Sequence, residues 1–488
     1  MKHLSLISAF CALGLSASAA EPAARTNVLF IIVDDLTTTL SCYGDRDART
    51  PHMDALAARG VRFDRAYTQF SLCNPTRAAF LTGCYAERTQ VYDLTTSFRK
   101  AMPDAVTLPQ LFKNAGFTAG RIGKVFHVSD DAWTQLDVHL GAPLAKDQKI
   151  LEEAKLAEAS EGDLSDPPHE TSKAARKGAK NAENAEKSFN RCYAPSKRPA
   201  CDFTDYQIAD EAISTLESFK DKPFFLAVGF IRPHTPYVAP QAFFDLLDPM
   251  KIAMPNFYQP NGEDLAGIPK AALRPNSNVF RYQAPSVKEA REARRAYLAT
   301  TAFVDSQVGR LLAKLEELKL DKNTIIVLTG DHGYQLGEHG LWAKQTLFEE
   351  GTHVPLIVTA PGVKPGVCAG LVEQIDIYPT LAGLVGLALP KQVQGRTLQP
   401  LLTDPSAKGK PAVFSTMVSS HTKLIGHSIR TERYRYIEWD EGRGGRQLYD
   451  HEADPHELDN LADRPSQASL VATLKSQLAT HLKESASK

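Results

Sequence analysis

Asn27-Val28-Leu29-Phe30-Ile31-Ile32-Val33 runs without a break into Asp34-Asp35. An apolar run with no polar alternation, closed by two acids, reads as a strand buried on both faces. Such strands lie inside parallel sheets covered by helices. Three further segments repeat the pattern: Pro223–Gly229 leads toward Arg232-Pro233-His234, Thr324–Thr329 into Gly330-Asp331-His332, and Val354–Thr359 stops before Ala360-Pro361-Gly362. Helical patterns fill the intervals. Thr50-Pro51 opens one that closes at Gly60, and Thr107 opens another that stops near Gly116. Thr204 with Gln207 has the spacing of a capping box ahead of Ile208–Phe219. Ser286 to Leu320 carries Val304, Val308, Leu311 and Leu315 at helical spacing. Strands alternating with helices predict an α/β fold with a doubly wound, mostly parallel sheet.

Around this frame the chain changes character. Residues 145–190 are rich in Ala, Lys and Glu and poor in large apolar groups, the composition of an insertion with a solvated surface. Leu389–Lys410 is polar and Pro-rich and reads as a connection. Beyond it, Tyr434–Trp439 and a polar helical tail predict a small α+β subdomain over 411–488. Lys2 and His3 precede an apolar run from Leu4 to Leu15 and small residues from Ser16 to Ala20, the pattern of a secretory signal over 1–20. That run is too short to cross a bilayer. The expectation is an exported protein, periplasmic or secreted, that does not insert in a membrane. Of 488 residues 43% are hydrophobic, enough for a large core, and the formal charge is −1. No global field draws the chain to nucleic acid or an acidic surface, so an anionic substrate has to be held by locally placed cations. Losing Cys11 with the signal leaves six cysteines, too few for a disulfide scaffold. Cys192 and Cys201 are close in sequence, export permits a bridge, and a disulfide between them is the expectation, against two free thiols.

Ligands of open α/β sheets bind beyond the carboxyl ends of the strands. Two strands here end in acids, Asp34-Asp35 and Asp331. Carboxylates gathered at adjacent strand ends repel one another unless a cation sits between them, and a hard divalent ion suits oxygen ligands. Ser71-Leu72-Cys73-Asn74-Pro75-Thr76-Arg77 adds a third piece. Pro75 fits the first turn of a helix, which puts Cys73 at a helix N-terminus, where backbone N–H groups favour anions. Arg77 projects from the same turn. A lone Cys at such a place suits a reactive nucleophile. Taken singly, each acid also fits a cap and Cys73 a small buried hydrophobe.

Cys73-x-Pro75-x-Arg77 followed by Leu81-Thr82-Gly83, with Val33-Asp34-Asp35 before it and Gly330-Asp331-His332-Gly333 after it, resembles the signature of the type I, formylglycine-dependent sulfatases. The blocks Gly123–His127, Phe224–Tyr237, Asp305–Leu312, Gly337–Lys344, Thr352–Val358 and Ser428–Tyr436 extend the resemblance to the iduronate-2-sulfatase-like branch. It covers most of the chain after the signal and fails in the insertion and at the C-terminus. The resemblance implies an alkaline phosphatase-like fold, with a catalytic domain over 21–400 interrupted at about 145–201. It implies that a maturation enzyme oxidises Cys73 to formylglycine. It implies one divalent ion, usually calcium in these enzymes, held by Asp34, Asp35, Asp331 and His332 with position 73 as a further ligand. Many relatives have Asn where His332 stands, and an imidazole leaves the identity of the ion open. Thr76 and Cys84 also depart from the commoner pattern.

The mechanism implied is nucleophilic. The aldehyde is hydrated, one hydroxyl attacks sulfur, and the alcohol leaves in line. Arg77, Lys124 and Lys344 stabilise the developing charge. His234 is the acid for the leaving oxygen, and His127 the base that regenerates the aldehyde. The implied substrate is a sulfated carbohydrate, a 2-O-sulfated uronic acid or another polysaccharide sulfate. Specificity is expected in the insertion, in Pro255–Pro285 and in Tyr334–Trp342. Two other readings stay open. A phosphatase or phosphonate ester hydrolase shares the fold, and the two-metal enzymes among them need a second ligand set for which only His339 and His353 offer themselves. A non-catalytic glycan-binding relative is expected to have lost Cys73, Arg77 or an acid, and none is lost.

Overall fold

The computed structural model describes residues 26–127, 136–141, 149–150, 152–153, 192–255, 265, 267–274, 279–280 and 285–487. The expected signal over 1–20 and most of the expected insertion lie outside the described residues. Fourteen strands are described. In chain order the first ten are β1 (Asn27–Val33), β2 (Val61–Tyr67), β3 (Thr118–Gly123), β4 (Val138–Leu140), β5 (Tyr193–Ser196), β6 (Phe224–Phe230), β7 (Tyr237–Pro240), β8 (Thr324–Gly330), β9 (His353–Thr359) and β10 (Gly366–Glu373). Eight of them form one sheet in the order β10-β2-β9-β8-β1-β6-β3-β4, while β5 and β7 pair separately.

The continuous apolar run of β1 explains its central place. Val28, Phe30 and Ile32 enter one core, with Phe80, Leu108, Phe112 and Leu381 from the helices Cys73–Thr82, Leu108–Asn114 and Ile377–Leu384. Leu29, Ile31 and Val33 enter the other, with Leu56, Leu216 and Val308 from the helices Pro51–Ala58, Thr204–Phe219 and Val287–Glu317. A strand that alternates between two cores has helices on both faces. The sheet is therefore doubly wound, as expected. It is parallel at β1–β6, β1–β8, β3–β6, β3–β4 and β2–β10.

Val354–Thr359 departs from its expected orientation. As β9 it runs antiparallel to both β8 and β2. A parallel crossover takes a dozen residues or more, usually with a helix. The connection after β8 holds only two short helical turns, Glu338–Gly340 and Glu349–Thr352, and turns back instead. Helix caps match the sequence at Thr107–Gln110 and Ser286–Glu289, both capping boxes. They do not match at Thr204, which is already helical, with Phe203 at the cap position.

The C-terminal part is a second sheet, β11 (Ala412–Val418), β12 (Ile425–Thr431), β13 (Tyr434–Trp439) and β14 (Arg446–Asp450), antiparallel throughout. The helix Ala468–Ser487 covers it through Val471, Leu474 and Leu478, which pack on Ile429, Tyr436 and Leu448. Among the described residues no helix is long and apolar enough to cross a membrane. Cys192 and Cys201 are not joined to each other, so the expected bridge is not made here.

Candidate active site

The parallel register brings chemistry to one edge of the sheet. Val33 pairs with Gly330 and Phe230, and Gly123 with Gly229, so β1, β8, β6 and β3 end together. The next residues along each strand are Asp34-Asp35, Asp331-His332, the turn toward His234, and Lys124. Glycines allow the close approach of Lys124. A Cβ on Gly229 would overlap the Lys124 carbonyl, and Gly123, at φ +73°, faces the Gly229 carbonyl. Asp35 sits in the left-handed region at φ 60°. It is held there by its own N–H donating to Asp331 Oδ1 at 3.0 Å and by Tyr297 Oη donating to its carbonyl at 2.8 Å. Tyr297 comes from the long helix 262 residues away in sequence, and no local signal pointed to it.

Cys73 opens the helix Cys73–Thr82, all ten residues of which are buried. Thr76 Oγ1 donates to the Asp331 carbonyl at 3.0 Å and so fixes the helix start against the end of β8. Cys73 Sγ lies 3.2 Å from His332 Nε2 and 3.0 Å from Lys344 Nζ. Lys344 Nζ also donates to Asp35 Oδ1 at 2.8 Å, and Lys124 Nζ pairs with Asp34 Oδ2. Arg77 binds both acid-bearing strands. Its Nε donates to Asp331 Oδ2 at 3.0 Å, Nη2 lies 3.4 Å from Asp34 Oδ1, and Nη1 donates to the Val125 carbonyl at 3.1 Å. Three buried carboxylates thus face three cations, an arrangement that lowers the cost of burying each.

Ligand atoms of Asp34, Asp35, Cys73 and His332 lie within 4.8 Å of one another. The donor set fits a hard divalent ion: two carboxylates and an imidazole, with Asp35 Oδ2 buried and without a hydrogen-bond partner among the described residues. Asp331 stands beside this group. Its Oδ2 is engaged by Arg77, and its Oδ1 accepts from the N–H of Asp35 and of His332. The two histidines that a two-metal alternative would need lie elsewhere. His339 groups with Glu350 and Glu457, and His353 Nε2 lies 2.7 Å from the Asp64 carbonyl.

Electrostatics divides the histidines. Burial works against a charge on His332, but Asp331 and Cys73 outweigh it and raise its pKa to about 9. Its Nδ1 lies 2.9 Å from the Gly333 carbonyl, leaving Nε2 toward the cluster, and metal ligation there requires release of a proton. His234 is lowered to about 4 by burial and by Lys344. Its Nδ1 is 2.7 Å from the Thr235 carbonyl, a contact that fixes the proton there and frees Nε2. His127 is lowered to about 3 by burial, Lys124 and Arg77. For Asp34, burial acts upward, yet Lys124, His234 and Arg77 hold the carboxyl well below its usual range.

One supporting segment was not legible in the sequence. The N–H groups of Gln345 and Thr346 donate to Ser71 Oγ at 3.0 and 3.3 Å, and Gln345 N–H also reaches the Ser71 carbonyl. The loop that carries Lys344 is thereby tied to the loop that carries Cys73.

The profile of the family "Sulfatase" matches residues 26–387, and that of "N-sulphoglucosamine sulphohydrolase, C-terminal" matches residues 337–484. Human iduronate 2-sulfatase is 31% identical, over 89% of this chain and 88% of its own length. Among solved structures, the phosphonate monoester hydrolase of Silicibacter pomeroyi superposes with a TM-score of 0.75 at 25% identity, covering 94% of this chain and 96% of its own. A structure solved in complex with its substrate D-glucosamine-2-N,6-O-disulfate gives a TM-score of 0.72 at 23% identity, covering 94% and 98%.

Proposed function

The chain belongs to the sulfatase family, and from that premise we propose that it removes sulfate from a sulfated carbohydrate, using formylglycine made from Cys73 and one divalent ion. One observation carries this reading: Cys73 Sγ lies at a helix start among Asp34, Asp35 and His332, with Lys344 Nζ 3.0 Å away. Asp34, Asp35, Asp331, His332 and position 73 are the proposed ligands, with Arg77 paired to Asp331 and Asp34 beside them, and calcium is the proposed ion. When present, the ion and the aldehyde together supply an acidified hydroxyl as nucleophile toward sulfur.

The chain's own side chains do the rest. Lys344 and Lys124 flank position 73 and bind the oxygens of a sulfate held there. They strengthen as charge accumulates because they are fixed in a water-poor site. Arg77 keeps the acids of β1 and β8 in one arrangement. His234 presents Nε2 to the leaving oxygen. An anionic ester bound beside it raises its pKa from about 4 and lets that nitrogen hold a proton for the alcohol. His127, neutral at pH 7, takes a proton as the aldehyde is regenerated. A maturation enzyme that oxidises Cys73, export directed by residues 1–20, and a catalytic domain over 21–400 followed by a subdomain over 411–488 complete the proposal.

The sugar is proposed from relatives: one is named for 2-sulfated iduronate and another was solved with a disulfated glucosamine. The likeness to a phosphonate monoester hydrolase supports a second reading with the same nucleophile. Turnover of 4-nitrophenyl sulfate against a 4-nitrophenyl phosphonate ester by the matured protein separates the two. A higher kcat/KM on the sulfate is expected, and preference for the phosphonate ester overturns the sulfatase assignment.

A further inference from the structure

Asp35 brings to the cluster an oxygen, Oδ2, that is buried and without a hydrogen-bond partner among the described residues. Where that oxygen lies depends on the main chain beneath it. Asp35 has φ 60°, and the left-handed region sets Cβ against the following carbonyl, so a residue other than glycine stays there when its surroundings hold it. The carboxylate direction is thus fixed by whatever fixes this one backbone angle.

Tyr297 supplies the hold from the helix Val287–Glu317. Its Oη donates to the Asp35 carbonyl at 2.8 Å and accepts from the Thr37 N–H at 3.0 Å. One hydroxyl therefore bridges two main-chain groups across the turn that follows β1. The turn is pressed onto the end of β8, since a Cβ on Gly330 would lie 2.1 Å from the Leu36 carbonyl. The tyrosine has little freedom of its own. It is wholly buried, with the Tyr237 ring edge-on at 5.6 Å and the Tyr334 ring at 6.3 Å, inclined by 25°. Loss of the hydroxyl would leave a buried carbonyl and a buried N–H without this partner, and a turn in that state shifts to recover hydrogen bonds.

We propose that Tyr297 is a positioning residue for the metal site: its hydroxyl, acting through the Asp35 main chain, keeps the Asp35 carboxylate turned to the ion and so sets the affinity for it. This rests on the proposed ligation by Asp35 and deepens it, because the affinity is assigned to a side chain that touches neither the ion nor the substrate.

Calcium chloride, and separately magnesium chloride, is titrated into the matured, chelator-treated protein, with the heat of binding as readout. Wild type, Tyr297→Phe and Val308→Ala are compared. Phe keeps the ring and removes one oxygen. Val308 is a core residue of the same helix, and its truncation lowers stability by leaving a cavity. Tyr297→Phe should weaken binding of the ion by about 10- to 100-fold, the usual loss when a group that orients a ligand is removed. Val308→Ala should change it by less than about twofold, as expected for a distant site, while its melting temperature falls. The calcium concentration for half-maximal turnover of 4-nitrophenyl sulfate should move with Tyr297→Phe by the same factor as the affinity. If the wild type takes up neither ion, the metal reading falls and this proposal with it. If the wild type binds and Tyr297→Phe binds as tightly, the metal reading stands and the proposal is overturned. Equal weakening in both variants also overturns it, because affinity then follows stability. So does a Tyr297→Phe chain that does not fold, which assigns the hydroxyl to the fold.

Discussion

At the scale of single residues, the site is a balance of three acids and three cations around one sulfur atom, and each member is testable. Cys73→Ala leaves the cluster's charges in place and removes the nucleophile. Activity should vanish while the melting temperature stays near that of the wild type, and mass spectrometry of active wild type should find a hydrazine-trappable aldehyde at position 73. Full activity in Cys73→Ala refutes the assignment. Lys344→Ala should lower kcat by about 100- to 1,000-fold, the usual loss when one fixed stabiliser of transition-state charge is removed. It also leaves Asp35, which Lys344 holds below its usual range against the upward pull of burial, with one neighbour fewer. Removing metal with a chelator should stop turnover, with calcium or magnesium restoring it. Restoration by zinc alone, with two ions bound per chain, would favour a two-metal phosphatase. The residues of this centre were readable because each follows an apolar strand or opens a helix, places where a polar side chain needs a reason. Asp331 shows where that reading stops. Its strand-end position was legible, but its engagement with Arg77 and with the Asp35 N–H depends on contacts between residues 254 and 296 positions apart.

At the scale of elements, the long apolar strands declared themselves and the mixed ones did not. β2 (VRFDRAY) places Arg62, Asp64 and Arg65 at half-buried positions. β3 (TAGRIG) buries Arg121, and β10 carries Gly366 and Gly370 around a register shift. None has the uniform apolar run that marks a central parallel strand, and all three were missed. β9 was recognised as a strand but given the wrong direction, because orientation is set by the connection and not by the strand. Two elements merit a direct test. Gly229→Ala sets a methyl against the Lys124 carbonyl where β6 passes the end of β3. It should displace Lys124 and cut kcat/KM more than it lowers the melting temperature, and an unperturbed enzyme would argue against Lys124 acting at the site. The loop carrying Lys344 is also held from its far end by the C-terminal sheet. Arg435 on β13 donates to the Leu347 carbonyl at 3.1 Å and pairs with Glu457 at 2.6 Å, while Glu457 accepts from the N–H of Glu349 at 2.7 Å. Arg435→Met leaves Glu349 and Glu457 buried without their shared cation, a loss on the order of 3–5 kcal/mol. The predicted readout is a lowered urea midpoint together with a raised KM.

For the whole molecule, the question is what joins the large sheet to the small one: Phe70, Leu72 and Phe348 pack on Met417, Ile437 and Trp439, and polar contacts run beside them. Thr416 N–H donates to the Gln69 carbonyl at 2.9 Å, Ser415 Oγ to the Thr68 carbonyl, and Thr416 Oγ1 to Glu87. His427 on β12 completes the group, with Nδ1 3.0 Å from Thr416 Oγ1 and 3.7 Å from Glu87. Burial lowers the His427 pKa from 6.5 to about 4, with Glu438 opposing only in part. The folded protein therefore keeps this imidazole neutral where an unfolded chain would already bind a proton. Between those two values the unfolded state holds more protons, so stability rises with pH across the window. The contribution is complete above the unfolded value of 6.5 and is lost as pH falls through the folded value of about 4. The shift corresponds to at most about 3 kcal/mol. Carboxylates held low at the same seam, such as Glu349 and Glu457, lose their contribution at lower pH, around and below their unfolded values. The histidine window thus opens first on acidification. Urea unfolding of wild type and His427→Gln at several pH values across that window isolates it. The wild-type midpoint should fall with pH more steeply than the variant's, with the two curves converging toward the acid end. Parallel curves would mean that His427 titrates alike in both states and that the seam owes its pH dependence to other groups.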